Sequence, residues 1–111
     1  MDKQGIIARL LALPAEIARA EIIVIESSQA VLEAKAALQE REAELLTSPA
    51  NPIDGKNETI RSAQLRSFTT EQREWLTARE YDQVRARATL SALHTEMSAL
   101  RSIADLLREA N

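Results

Sequence analysis

Cysteine is absent from this chain. Disulfides, thiolate catalysis and thiolate metal sites are therefore excluded, and the redox compartment stays open. Aromatic residues are nearly absent: Phe68, Trp75 and Tyr81 stand alone of their kinds. Three scattered rings make no platform for stacking bases, and they fit packing better. Only two glycines occur, Gly5 and Gly55, far apart, so there is no glycine-rich loop to cradle a phosphate. Uninterrupted apolar runs are short, such as Ile22-Ile23-Val24-Ile25, well below the ~20 residues of a membrane span. Turn formers and β-branched and aromatic residues are too few for a compact β-domain.

Catalytic equipment is equally thin. The one histidine, His94, sits beside Leu93 on a helix flank, where a solvated or rim residue is the expected reading. Metal sites in helical bundles use inward-facing glutamates with Glu-x-x-His spacing. This chain offers only His94-Thr95-Glu96, which is the wrong spacing, and no histidine or cysteine cluster. Glu40, Glu42 and Glu44 around Arg41 read as a solvated helix face. The expectation is a protein that is not an enzyme and takes no cofactor and no metal.

What is present is helix. Hydrophobic residues make up 45% and charged residues 28% of the 111 positions, the balance of one folded domain and too apolar for a disordered chain. Ala, Leu, Ile, Glu, Arg and Gln dominate, and most of these favour helix. The net charge is −3 and the pI is about 5.2, so the molecule as a whole is not drawn to phosphate backbones. Asp2 and Arg9 interrupt what would otherwise resemble a signal peptide. With no span expected, the default compartment is the cytoplasm.

The breakers cluster once. Pro49, Pro52 and Asp54-Gly55 fall inside residues 48–57, and no helix passes two such prolines. Asn57 is a suitable N-cap and Glu58 suits the first turn of the helix that follows. Upstream, Leu10, Ile17, Val24, Val31, Leu38 and Leu45 recur every seven residues, with Leu13, Ala20, Ser27, Ala34 and Arg41 three residues after the first five. That is a coiled-coil seam of large and small residues, suited to a close antiparallel partner. Downstream the seam reads Ala86, Leu93, Leu100 and Leu107 with Leu90, Met97 and Ala104. It weakens earlier, where Gln72, Arg79 and Gln83 intrude.

These patterns predict an all-α fold: a long antiparallel helical hairpin over the single domain 1–111. The arms are about 2–47 and 58–109, joined by the loop 48–57, and paired residue numbers sum to about 104. Each arm of ~50 residues would run ~75 Å at 1.5 Å per residue. Pro14 implies either a separate short helix over 2–12 or one helix kinked near Pro14. The seam keeps its phase across it, which favours the kink. Thr69 followed by Gln72 resembles a capping box, so a break near 68–70 competes with the favoured continuous helix.

More apolar surface remains than two facing stripes use. Ile22, Ile25 and Leu32 lie off the first seam, and Ile103 and Leu106 off the second. Large exposed apolar patches are rare on soluble monomers. The expectation is a homo-oligomer, preferably a dimer of hairpins making a four-helix bundle, with those five residues as candidate interface. Another protein partner is also compatible with them.

Charge is uneven. Residues 1–47 carry five bases and eight acids, and residues 55–87 carry seven bases and five acids. Lys56, Asn57, Arg61 and Arg66 near the loop are therefore candidates for holding an anion or an acidic partner, and a nucleic-acid accessory factor is the alternative function. The plainer reading pairs these arginines with glutamates of the first arm, as at coiled-coil flanks.

The segment Asn51-Pro52-Ile53-Asp54-Gly55-Lys56-Asn57-Glu58, continuing to Arg61, Ala63, Gln64 and Leu65, is similar to a G-K-N-E-x-x-R-x-A-Q-L stretch. That stretch is found in small helical proteins of bacteriophages and prophages, themselves mostly of unassigned function. The resemblance covers about fifteen of the 111 residues. It implies a phage accessory protein acting in the host cytoplasm. Small secreted hairpins of the Trp-x-Gly type are set aside, because Trp75 is followed by Leu76 and Thr77. The function expected is a self-associating helical interaction or assembly module.

Overall fold

The computed structural model describes residues 2–110. It is all-α, with α1 at Lys3–Thr47, α2 at Glu58–Phe68 and α3 at Thr70–Glu109, and no strand among the described residues. The first arm and the loop fall where the periodicity and the prolines place them.

Helix α1 opens on Asp2, whose carboxylate accepts from the Gly5 amide at 2.7 Å and whose carbonyl accepts from Ile6. It runs unbroken through Pro14. The ring takes away one amide, and the burial of Leu13 and Ile17 on either side holds the helix together. The separate short helix over 2–12 is thus not formed. Thr47 ends the helix by donating its hydroxyl to Ala43 O at 2.8 Å. Ser48-Pro49-Ala50-Asn51 then makes a turn closed by Asn51 N to Ser48 O at 3.0 Å, with Pro49 at its second position. Asn51 follows at φ 52°, a left-handed conformation that asparagine tolerates.

The second arm is two helices, and this corrects the continuous helix expected over 58–109. Thr69 is the reason. Its hydroxyl donates to Leu65 O at 2.6 Å, and Thr70 donates to Ser67 O at 3.1 Å and Arg66 O at 3.3 Å. Side-chain hydroxyls thereby take carbonyls that helical amides would otherwise bond, and the Thr69 amide falls back to Arg66 O at 3.3 Å. The Thr69 carbonyl starts the next helix by accepting from Arg73 N at 2.9 Å. The capping-box hint pointed to the right residue. The bond formed, however, runs backward to Leu65 rather than forward to the first turn of α3.

The chain forms two compact units. One contains the chain up to Glu26 and from Gln83 onward. In it Ile6, Leu13, Ile17, Met97 and Leu100 build a core, with Leu10, Leu90 and Leu93 packed around it. All but Ile6 are residues of the predicted seam, and Ile6 lies one heptad before Leu13. Arg9 meets Glu96 across this unit, and their numbers sum to 105, within one of the expected register. The pairing is antiparallel, since residues 3–10 line one groove with residues 104–108.

The other unit is Ser27–Asp82. Its buried residues are Val31, Ala34, Leu45, Ile53 and Thr69. None of the 11 residues of α2 is buried. The seam of α3 carries Gln72, Leu76 and Arg79 here, all half-buried. Arg79 Nε lies 3.1 Å from Asp82 Oδ2, but out of line, so this buried N–H has no hydrogen-bond partner.

Candidate interaction surface

The residues suspected of binding near the loop turn out to be used by the loop. Asn57 caps α2, its side chain accepting from Ile60 N at 3.0 Å. Arg61 donates to Gly55 O at 3.1 Å. Gln64 accepts from Gly55 N at 2.9 Å and donates to Asp54 at 2.8 Å. A Cβ on Gly55 would stand 2.5 Å from Ile60 Cγ2 and 2.9 Å from Ile60 Cβ, so this position needs glycine for space. The stretch that resembles phage proteins is therefore a self-contained cap. Lys56 and Arg66 remain exposed.

The expected pairing of loop-side arginines with glutamates of the first arm is not what the side chains do. Arg73 bonds Thr69 Oγ1 at 2.9 Å, and Arg79 approaches Asp82 on its own helix. Arg9, paired with Glu96 and Glu16, joins α1 to α3. Arg9 grips both Glu96 oxygens, at 2.6 and 2.7 Å, in a bidentate pair. That hydrogen bonding holds the Glu96 carboxyl below the usual carboxylate range and raises Arg9 further above neutrality.

This pair also orients the surface of the first unit. Arg9 directly precedes seam residue Leu10, and Glu96 directly precedes Met97. Residues in that heptad position lie on one flank of the helix pair, which we call the Arg9 flank, together with those three further on. On α1 this flank carries Arg19 and Glu26, and Glu33 and Glu40 continue the same face of α1 in the other unit. On α3 it carries Ile103 and Leu106. The opposite flank carries Leu11, Ala18 and Ile25 from α1, with Leu32 one heptad on. From α3 it carries Arg87, His94, Arg101 and Arg108, one per heptad. All of these are exposed.

The five candidate interface residues are thus exposed, as an interface requires, but they do not form one patch. Ile25 is 67% and Leu32 62% exposed, on the opposite flank. Ile22, 54% exposed, points away from the seam. Ile103 and Leu106 belong to the Arg9 flank. The basic series of α3 and the acidic series of α1 were missed in the sequence, although their seven-residue spacing was available to be read.

His94 is exposed on a helix flank. Among the described residues no three His, Cys, Asp or Glu side chains gather to hold a metal ion. No helix is long and apolar enough to cross a membrane. The fold and surface define a class: an α-helical hairpin with exposed aliphatic flanks. Compared with known proteins, the chain matches no family model, no curated protein and no solved structure.

Proposed function

We propose that this protein is a non-enzymatic, self-associating assembly module, whose working surface is the outside of its helix pair. The observation that carries this reading is the row of exposed aliphatic side chains on α1, with Leu11 78% exposed and Ile22, Ile25 and Leu32 each above half. Leaving several large side chains in water forgoes roughly 1.5–3 kcal/mol apiece. The area agrees. The isolated chain exposes 8008 Å². A compact monomer of 12.3 kDa exposes about 6,100 Å² by surface scaling. The excess is more than the ~800 Å² that a standard protein interface takes from each partner.

The nucleic-acid alternative loses support, because Asn57 and Arg61 are committed to capping and aliphatic side chains dominate the exposed face of α1. A phage accessory role rests on the cap segment alone and fits an assembly protein of the host cytoplasm. Sedimentation equilibrium tests the reading. The expected result is a mass above 12.3 kDa that rises with concentration, and a lowered mass in Ile25→Asp/Leu32→Asp. A strictly monomeric chain up to about 100 µM would refute it, since an interface worth even ~5.5 kcal/mol shows there.

A further inference from the structure

The bond between Asp54 and Gly55 carries a reaction of its own. Glycine puts no side chain beside its amide nitrogen, so that nitrogen can reach the carboxyl carbon of the aspartate before it. It attacks Cγ of the protonated carboxyl, the hydroxyl and the amide hydrogen leave together as water, and a five-membered imide closes. Water then opens the ring at either carbonyl. One opening restores Asp54, and the other leaves an isoaspartate, with the main chain running through the side-chain carbon. Nothing is oxidised or reduced, and water is the only co-reactant. Asp54 is exposed, so water reaches the site.

The fold holds both reacting groups through one side chain. Gln64 Oε1 accepts from Gly55 N at 2.9 Å, and Gln64 Nε2 donates to Asp54 Oδ1 at 2.8 Å. Only one orientation of the amide does this, since the Gly55 N–H can only donate and a carboxylate only accepts. Gln64 is half-buried on α2, whose start Asn57 fixes, and Arg61 holds Gly55 O at 3.1 Å. Bonded in this way the nitrogen keeps its hydrogen and the carboxyl keeps its rotamer, and ring closure needs both to change. The product does not fit either. Isoaspartate lengthens the backbone by one carbon, where a Cβ on Gly55 would already stand 2.5 Å from Ile60 Cγ2.

We infer that Asp54-Gly55 is a latent modification site, isomerising to isoaspartate, and that Gln64 is the positioning residue that keeps it unreacted. This goes beyond self-association and does not depend on it. A chain whose cap is closed stays as synthesised, whereas one whose cap opens ages at this bond. The added backbone carbon then keeps Gly55 away from Gln64, so the opened cap stays open.

The test follows the full chain over weeks in warm buffer near neutral pH. Trypsin releases Glu42–Lys56, whose aspartyl and isoaspartyl forms have equal mass, separate by chromatography and are told apart by electron-transfer fragmentation. Two hydrogen bonds of ordinary net strength hold the open form down by about 30-fold, so the native chain should isomerise slower by that factor than the same chain in guanidinium. Gln64→Ala in buffer should recover most of the factor, while circular dichroism shows its helix retained. Leu13→Ala, weakened in the other unit, should keep the native rate. A native chain that reacts as fast in buffer as in guanidinium would overturn the protection of the site. A Gln64→Ala chain no faster than native, or a Leu13→Ala chain as fast as Gln64→Ala, would overturn the role of Gln64.

Discussion

The two units use the same heptad grammar with different vocabularies. In the first, the seam of α1 and α3 is filled by Ile6, Leu13, Ile17, Met97 and Leu100, and the helices lock on aliphatic contact. In the second, α3 brings Gln72 and Arg79 to the equivalent positions, and the buried seam aliphatics, Val31 and Leu45, come from α1 alone, joined by Ala34, Ile53 and Thr69. Periodicity therefore places a helix pair in both, whereas the depth of packing depends on what stands at each repeat. The teaching is that a seam marks where helices meet and says little about how strongly. The unit with the poorer seam is also the one with the loop cap, the helix break and the unsatisfied Arg79 N–H.

Mutations at matched positions sharpen this contrast. Leu13 is fully buried, and Leu13→Ala should cost about 3 kcal/mol, the middle of the range for emptying a core leucine site. Urea unfolding measures it, and a loss below 1 kcal/mol would mean the first unit is not the anchor. In the second unit the expected counterpart is polar. Thr69→Val keeps the shape but strands Leu65 O and the Arg73 Nε–H, at a cost of about 1–2 kcal/mol in the same assay.

The next effect has the opposite sign. Arg79→Leu removes a buried donor that has no partner and adds an aliphatic seam residue, so stability should rise by about 1 kcal/mol. A decrease would show that the Asp82 approach matters more than its geometry suggests. The smallest effect is the ion pair of the first unit. Glu96 titrates below its ordinary value, so its contribution is complete above about pH 4.3 and is lost as pH falls through the lower folded value. The gap in urea midpoint between the native chain and Glu96→Gln should be constant from neutrality down to about pH 5. It should close at lower pH. Screening by solvent keeps that gap small, the smallest of these effects.

Much of the fold was legible because it rests on two strong signals. Heptad spacing gave the seam residues and their register, and Pro49, Pro52 and Gly55 gave the loop. The helix break was legible only as a hint. Thr69 and Thr70 break α2 from α3 by bonding backward, and a threonine pair in a sequence does not announce which carbonyl its hydroxyl will choose. At Pro14 the unbroken phase of the seam pointed to one helix, and one missing amide is tolerated where Leu13 and Ile17 hold both sides. Gly55 was read as a turn former, yet it is the contact with Ile60 that excludes a side chain. For the surface, exposure of Ile22, Ile25, Leu32, Ile103 and Leu106 followed from their distance off the seam. Their division between flanks needed the Arg9–Glu96 contact, which fixes which sides of the two helices face the same way.

The self-contained cap has a kinetic consequence. Its bonds, Gly55 to Gln64, Gln64 to Asp54 and Arg61 to Gly55, join residues at most 10 apart, whereas Arg9 and Glu96 are separated by 87 positions. Closing a short loop sacrifices less chain entropy than closing a long one, so the cap should form early and the aliphatic core late. φ-values near one for Gln64→Ala and near zero for Leu13→Ala are the expected signature, and the reverse order would refute it. The part of the chain that contributes most to staying folded would then be the last to arrive. Until it does, a nascent hairpin closed at its turn displays unpaired heptads to every other copy being made.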